Sequence, residues 1–416
     1  MKMNTRPKKS APMPKLPEVS LPAQLKERLA HGHPWVYRTH VPPQLRLPSG
    51  SWVRVRCGGW SGYGLWDAER PIAIRVFSTQ RPPDARWVRE RVQDAWDLRA
   101  PLREAGCTAY RWLFGEGDAL PGLTVDRYAD WAVIAPYMDG AGELIAWLAD
   151  ALQATDPSLR GVVLRRRAAD AEDEPGADRD DAGGARGIAL VAGSMPPRGL
   201  VVREHGIQLY ADLQAGQKTG LFLDHRENRR TVEQISAGRS VLNCFAYTGA
   251  FSLYALRGGA RHVVSTDIGK GLAAAADANV ALNGFDPARH EFVTEDCFAL
   301  LERYAAEGRQ FDLVVLDPPS FAKSKQSRYA AIRAYTRINA LALRCVAPGG
   351  LLATASCTSQ VGPEAFKDML AAAAAQAERP CQIIDEAGQP LDHPVPAAFP
   401  EGRYLKFVVA RAGIRL

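Results

Sequence analysis

From Ser240 to its end the chain repeats one pattern: a short apolar run, a turn, then a stretch with helical spacing. The runs are RSVLNCFAYTG, HVVSTDI, HEFVTEDC, FDLVVLDPP and GGLLATASC. Helices are expected to Leu256, to Asn283, to Ala306, across 328–346 and after Pro363, where a proline in the first turn loses no helical hydrogen bond. Apolar runs that alternate with helices predict parallel strands covered on both faces, because each crossover helix must lie back over the sheet. With two last strands, CQIIDE and RYLKFVVAR, the pattern predicts a doubly wound α/β domain of seven strands.

The remaining residues need other cores, since 416 exceeds what one usually supports. All nine tryptophans lie between Trp35 and Trp147, which marks the two halves as different domains. Residues 51–77 read as short alternating strands broken by glycines, hairpins or a small barrel. A helix is expected over about 84–105. A small α+β domain follows near 108–210, with strands in TVDRYADWAVIAPY and GVVLRRR around a helix, GELIAWLADALQ. Within it the stretch 168–187 is rich in Asp, Ala, Gly and Glu without apolar period, and is expected to be a disordered surface insertion.

The composition, 46% hydrophobic and 24% charged, is that of a globular protein, and no run approaches the ~18 apolar residues of a membrane span. The first residues are basic and Pro-rich with no apolar stretch after them, so no secretion signal is expected. Seven scattered cysteines without a C-x-x-C pair predict reduced thiols in a cytoplasm, with neither a metal site nor a disulfide framework. Residues 1–100 carry 18 Lys and Arg against 8 Asp and Glu, a balance of +10 that leaves −4 for the rest. A basic N-terminal part suits a polyanion such as RNA, although a solvated surface gives the same count.

Strand ends carry the candidate chemistry. In Asn243-Cys-Phe-Ala-Tyr-Thr-Gly249 small residues let the backbone approach a ligand, and a single glycine in place of G-x-G-x-x-G disfavours a dinucleotide. Asp267, twenty-four residues after Asn243, ends the second strand where a carboxylate can accept ribose hydroxyl protons; a helix-capping aspartate is the plainer alternative. Asp296 ends the third strand, placed to meet an adenine edge, with Cys297 and Phe298 beside the ring. Asp317-Pro318-Pro319-Ser320-Phe321 ends the fourth, its prolines fixing a rim from which a carboxylate projects. It resembles the (Asp/Asn)-Pro-Pro-aromatic motif of nucleobase methyltransferases, with the aromatic one place later. Cys357 follows the fifth strand. If strands four and five are neighbours, their ends lie ~5 Å apart and Asp317 and Cys357 can face one substrate. A thiol there can add to C6 of a cytosine, whose C5 is otherwise too poor a nucleophile to accept a methyl group. Upstream, the polar 218–229 segment is read as closing over the methionine end of a cofactor, or as a salt-bridged turn.

Several longer strings, GHPWVY (32–37), GEGDALPGLTVDRY (115–128), QKTGLFLDHRENR (217–229), VLNCFAYTGAF (241–251), LDPPSF (316–321), SCTS (356–359) and DHPVPAAFPEGRYLK (392–406), resemble the bacterial 23S ribosomal RNA cytosine-5 methyltransferases that carry an N-terminal PUA domain. The resemblance spans nearly the whole chain. It implies a PUA-like RNA-binding domain over 16–90, an α+β middle domain over 91–210, and a class I S-adenosylmethionine-dependent domain over 211–416 with strand order 3-2-1-4-5-7-6; the basic disordered tail over 1–15 and the acidic 168–187 stretch look like additions to the family. Cys357 falls on the catalytic cysteine of the family, Asp267, Asp296 and Asp317 on cofactor and substrate positions, and Arg226 on the cofactor-side loop. Ser320 stands where another group of RNA cytosine-5 methyltransferases has a second cysteine, which leaves the base for the C5 proton unassigned.

The expected catalytic pair is therefore Cys357 and Asp317. Cofactor contacts are expected from Lys218, Thr219, Gly220, Asp224, Arg226, Asn243, Phe245, Tyr247, Thr248, Gly249, Asp267, Asp296, Cys297 and Asp317, and substrate contacts from Pro318, Pro319, Phe321 and Lys323. The expected cofactor is S-adenosyl-L-methionine, with no metal. The expected partner is 23S rRNA or a large-subunit assembly intermediate in the cytoplasm, with no membrane; a homodimer is left open. Purine N-methylation, and a non-catalytic RNA-binding assembly factor, are the rival readings.

Overall fold

The computed structural model describes residues 16–165, 187–214, 221–321 and 328–413. The basic tail over 1–15 and all but the last residue of the acidic 168–187 stretch lie outside them.

The first domain is a five-stranded sheet of order β1-β3-β4-β5-β2, built from β1 (Glu18–Ser20), β2 (Trp35–Tyr37), β3 (Trp52–Cys57), β4 (Trp60–Trp66) and β5 (Ile72–Ser78), with a short helix α1 (Lys26–Ala30). Gly58 and Gly59, at φ +50° and +88°, form the two-residue turn between β3 and β4. Both central positions of such a turn need the left-handed region, which glycine enters without steric cost. Alternation along β3 turns Val53, Val55 and Cys57 into the core and Arg54 and Arg56 outward.

The helix expected over 84–105 is two helices, α2 (Ala85–Leu98) and α3 (Ala100–Glu104). Asp84 caps α2 by accepting from Trp87 N at 2.8 Å. The break falls at Arg99, because Pro101 lacks the N–H that would continue the helical ladder. Trp87, Val88 and Val92 of α2 enter the middle-domain core, so a boundary at residue 90 would cut this helix.

The middle sheet has the order β10-β9-β8-β7-β6, from β6 (Ala109–Phe114), β7 (Leu123–Tyr128), β8 (Trp131–Pro136), β9 (Gly161–Arg165) and β10 (Ile188–Gly193), with α4 (Gly142–Thr155) crossing between the parallel β8 and β9. The hairpin β11 (Leu200–Glu204) and β12 (Ile207–Ala211) is not part of this sheet. Its Leu200, Val202, Ile207 and Leu209 share a core with the C-terminal sheet, so that unit reaches further upstream than residue 211.

The C-terminal unit contains α5 (Arg226–Gln234), β13 (Ser240–Cys244), α6 (Ala250–Arg257), β14 (His262–Asp267), α7 (Leu272–Leu282), β15 (His290–Thr294), α8 (Cys297–Glu307), β16 (Phe311–Leu316), α9 (Arg328–Arg344), β17 (Val346–Ser356), α10 (Pro363–Ala377), β18 (Cys381–Ala387) and β19 (Lys406–Ala412). The sheet order is β15-β14-β13-β16-β17-β19-β18, which is 3-2-1-4-5-7-6 as expected, with β19 antiparallel to its neighbours. Central strands such as β16 are buried along nearly their whole length. Helices α8, α9 and α10 cover one face, and α6 with the β11–β12 hairpin covers the other. The strand ends of β13, β14, β16 and β17 therefore open onto one rim, the position at which doubly wound sheets hold ligands. No helix among the described residues is long and apolar enough to cross a membrane.

Candidate active site

The turn from β13 into α6 carries three left-handed residues, Phe245 (φ +57°), Tyr247 (φ +50°) and Gly249 (φ +83°). The conformation costs Phe245 and Tyr247 energy that only external contacts can offset. Those contacts are present: Phe245 N donates to Cys297 Sγ (3.3 Å), Ala246 N to the Thr266 carbonyl (2.9 Å) and Tyr247 N to Asp267 Oδ2 (2.9 Å). Asp267 also accepts from Gly269 N at 3.2 Å, so its carboxylate shapes the rim of the cleft. Next to it Ile268 is 69% exposed, an uncovered apolar side chain at a strand end. A carboxylate beside an uncovered apolar side chain is a pairing that suits a nucleoside.

Three expected cofactor residues are placed differently. Asn243 is buried and donates to Ser252 Oγ at 2.9 Å, the start of a polar string that runs from β13 through Ser252 of α6 and Ser265 of β14 to His290 of β15. Cys297 is buried beneath the turn, accepting from Phe245 N, instead of lying beside a ring in the cleft. Arg226 is fully buried and bonds both oxygens of Asp392 at 2.9 and 2.7 Å, which leaves it inside the protein and not on the cofactor side. Asp296 is exposed and caps α8, its Oδ1 accepting from Phe298 N and Ala299 N at 3.0 and 3.1 Å. Thr248 lies in the turn and is half-buried, its carbonyl accepting from Asn279. Lys218, Thr219, Gly220 and Lys323 lie outside the described residues.

The opposite wall comes from the segment before α5. Asp224 Oδ2 accepts from the Tyr404 hydroxyl at 2.7 Å, and burial, reinforced by that carboxylate, holds the Tyr404 phenol well above its usual range. His225 is buried against the Phe251 and Phe407 rings. Its Nε2 lies 3.3 Å from Asp317 Oδ1 and its Nδ1 3.0 Å from Asn228 Nδ2. Burial alone would lower the imidazole pKa, but the Asp317 carboxylate outweighs it, with Asp224 adding to it and Arg229 opposing, so the net shift is upward.

Asp317 follows β16, about one-fifth exposed. After it Pro318 is buried, Pro319 is exposed, and Phe321 packs on Tyr335 and Phe298, with ring centroids 4.8 and 6.1 Å away. Strands β16 and β17 are neighbours, with Leu316 opposite Thr354, and Cys357 comes one residue after β17, half-buried. Both Asp317 and Cys357 act electrostatically on the Tyr335 phenol, which burial pushes up to about 12. On β19, opposite Ser356, the buried Lys406 donates to the carbonyls of Thr358 and Tyr404, the latter at 2.8 Å. Burial lowers its pKa to about 8, with the charge of Cys357 acting in the other direction.

Cys357 opens into a cavity of about 770 Å³ between the three domains. Trp35 and Arg75 come from the first domain, Phe114 and Tyr137 from the middle one, and Phe222 and His393 from the last. Phe222 also meets the Tyr247 ring edge-on at 5.5 Å, an aromatic contact between the cavity wall and the β13–α6 turn. His225, Lys406 and Tyr404 were not singled out in the sequence. They stand within recognised strings, but no local pattern shows that they converge on residues up to 180 positions away.

Sheet order, rim chemistry and the added N-terminal sheet define an S-adenosylmethionine-dependent methyltransferase with a PUA-like domain: residues 191–395 match the former family and residues 19–79 the latter. Ribosomal RNA large subunit methyltransferase I of Aeromonas salmonicida (strain A449) is 36% identical over 394 residues, 92% of this chain and 96% of that protein. The protein of the same name from Shewanella denitrificans is 37% identical over 390 residues, again 92% and 96%. The chain belongs to the ribosomal RNA large subunit methyltransferase I family. Among solved structures, a chain from Streptococcus mutans assigned to the SAM-dependent methyltransferases superposes with a TM-score of 0.81 at 22% identity, over 95% of this chain and all of that one. SMU.776, assigned as a methyltransferase and solved with SAH, gives 0.82 at 22% identity over the same shares. Both show the same fold.

Proposed function

We propose that the chain methylates C5 of a cytidine in 23S rRNA through a transient bond between Cys357 and C6 of the base. One observation carries the reading: Cys357 lies in the wall of a cavity and just after the strand that neighbours the one leading to Asp317, on the rim onto which the strand ends open. The Cys357 thiolate forms the S–C6 bond, which makes C5 a competent carbon nucleophile. Bound S-adenosylmethionine supplies the electrophilic methyl group. Asp317, held by His225, hydrogen-bonds the N3/N4 edge and stabilises the altered ring. A base then takes the C5 proton, the electrons of that bond re-form the C5–C6 double bond, and Cys357 leaves as thiolate, so that the products are 5-methylcytidine and S-adenosylhomocysteine. Asp267 is assigned to the ribose hydroxyls and Ile268 to one face of the adenine.

The substrate class is supported by the large-subunit rRNA named for the relatives, by the PUA-like domain and by the positive balance of the first hundred residues. The target base must leave its stack to reach Cys357, so an unpaired stretch of naked rRNA or of an assembly intermediate in the cytoplasm is the expected substrate. RNA carrying 5-fluorocytidine tests the chemistry, because fluorine at C5 cannot leave as a proton would. A denaturation-resistant protein–RNA adduct is expected, absent in Cys357→Ala; an active enzyme that forms none would refute the covalent step.

A further inference from the structure

We infer that the cavity between the three domains binds an unpaired RNA segment, with the target base at its Cys357 end and the adjoining nucleotide between the PUA-like and middle domains. The target's identity rests on the proposed cytidine methylation; the ligand class is argued from the walls.

Two aromatic pairs face the space. Trp35 and Phe399 have centroids 4.6 Å apart, and Phe114 and His393 5.0 Å apart, each pair joining an N-terminal element to the 393–404 segment. Flat rings in a space of this volume accept bases of any sequence, since every base has a π face. Tyr137, on the same wall, is 58% exposed.

Arg75 points to a ligand independently. It lines the cavity and is only 4% exposed, yet among the described residues its one hydrogen bond runs from Nη2 to the Tyr137 carbonyl at 2.9 Å. Among the described residues Nε and Nη1 find no hydrogen-bond acceptor, and Nη1 has only the longer ion-pair contact with Asp67, at 3.7 Å. Buried guanidinium donors left unsatisfied are costly, and a phosphate oxygen or base carbonyl would satisfy them. Gly122, at φ +76°, holds the arrangement: a Cβ there would lie 2.6 Å from Arg75 Nε.

The charge pattern narrows the class. Four arginines and four carboxylates are among the lining residues, so the walls do not form a bare phosphate site. Donors and acceptors together with rings suit base edges and faces more than phosphate alone. Walls from three domains admit a splayed single strand and exclude a duplex.

The test uses the full-length chain with SAH and large-subunit rRNA transcribed with scattered 4-thiouridine, irradiated, digested and mapped by mass spectrometry. Cross-links on the peptides carrying Trp35, Phe114 or Tyr137 are expected; cross-links confined to the outer strands of the PUA-like domain would overturn the inference. Tyr137→Ala, an exposed change that leaves the core intact, should raise the KM for RNA about 10-fold with kcat kept. Arg75→Met should do the same with a shallower salt dependence; an unchanged KM in both variants would also sink it. A missing 5-fluorocytidine adduct together with cavity cross-links would refute the covalent chemistry and leave this site standing.

Discussion

Arg226 and Asp392, 166 residues apart, form a two-pronged ion pair that is closed to solvent on both sides. The same carboxylate accepts from Arg111 N at 2.9 Å, and the Asp392 carbonyl accepts from Arg99, so the pair fastens the middle domain to the methyltransferase unit. Removing one partner strands the other charge in the interior. Arg226→Met is expected to lower unfolding stability by about 3–5 kcal/mol in denaturant titration. A loss below about 1 kcal/mol would show that the pair is not the fastening.

The same pair sets an acid response. Burial would raise the Asp392 pKa, but His393 and Arg226 hold it far below the usual carboxylate range. A carboxylate with a depressed folded pKa stabilises fully above its unfolded value of ~3.9, and that contribution is lost as pH falls toward the folded one. Thermal melts from pH 7 down to pH 3 should therefore fall less steeply for Asp392→Asn than for the parent, although the variant is weaker at pH 7.

His225 and Asp317 make a second prediction. With its folded pKa raised above ~6.5, His225 adds stability that is complete below that value and disappears as pH climbs through the folded pKa. The imidazole of His225, followed by NMR, should titrate above 6.5; a midpoint at or below it would contradict the pairing with Asp317. His225→Asn should cut kcat by about 10- to 100-fold with little change in RNA affinity, because the carboxylate loses its orientation.

Lys406 behaves in the opposite sense. Its pKa of about 8 means the buried ammonium costs stability at neutral pH, and the cost fades as pH rises from about 8 toward the unfolded value near ~10.4. Its charge near Cys357 favours the thiolate. Alkylation of Cys357 by iodoacetamide at pH 7.5 should slow several-fold in Lys406→Met and recover in Lys406→Arg. Equal rates in all three proteins would remove Lys406 from the chemistry.

Asp267 carries both the Tyr247 and Gly269 amides. Asp267→Ala should weaken SAH binding at least 10-fold by calorimetry and cost about 1–3 kcal/mol of stability, since two half-buried donors lose their acceptor. Unchanged SAH affinity would place the ribose elsewhere.

The sequence by itself determined the class of sheet. Apolar runs alternating with helical segments predict a covered, mostly parallel sheet, while the strand order came from the family resemblance, and the Asp317 and Cys357 strand ends meet because β16 and β17 are neighbours in it. Backbone periodicity is local, so it can be read from the string. The break at Arg99, the placing of the β11–β12 hairpin on the C-terminal core, and the burial of Arg226, Asn243 and Cys297 were decided only by the tertiary structure. So were the partners of Asp317 and Tyr404 and the cavity shared by three domains. The physical reason is common to all of them: whether a polar side chain faces a ligand or another side chain depends on what distant segments bring within about 3 Å of it, and no short-range pattern encodes that distance.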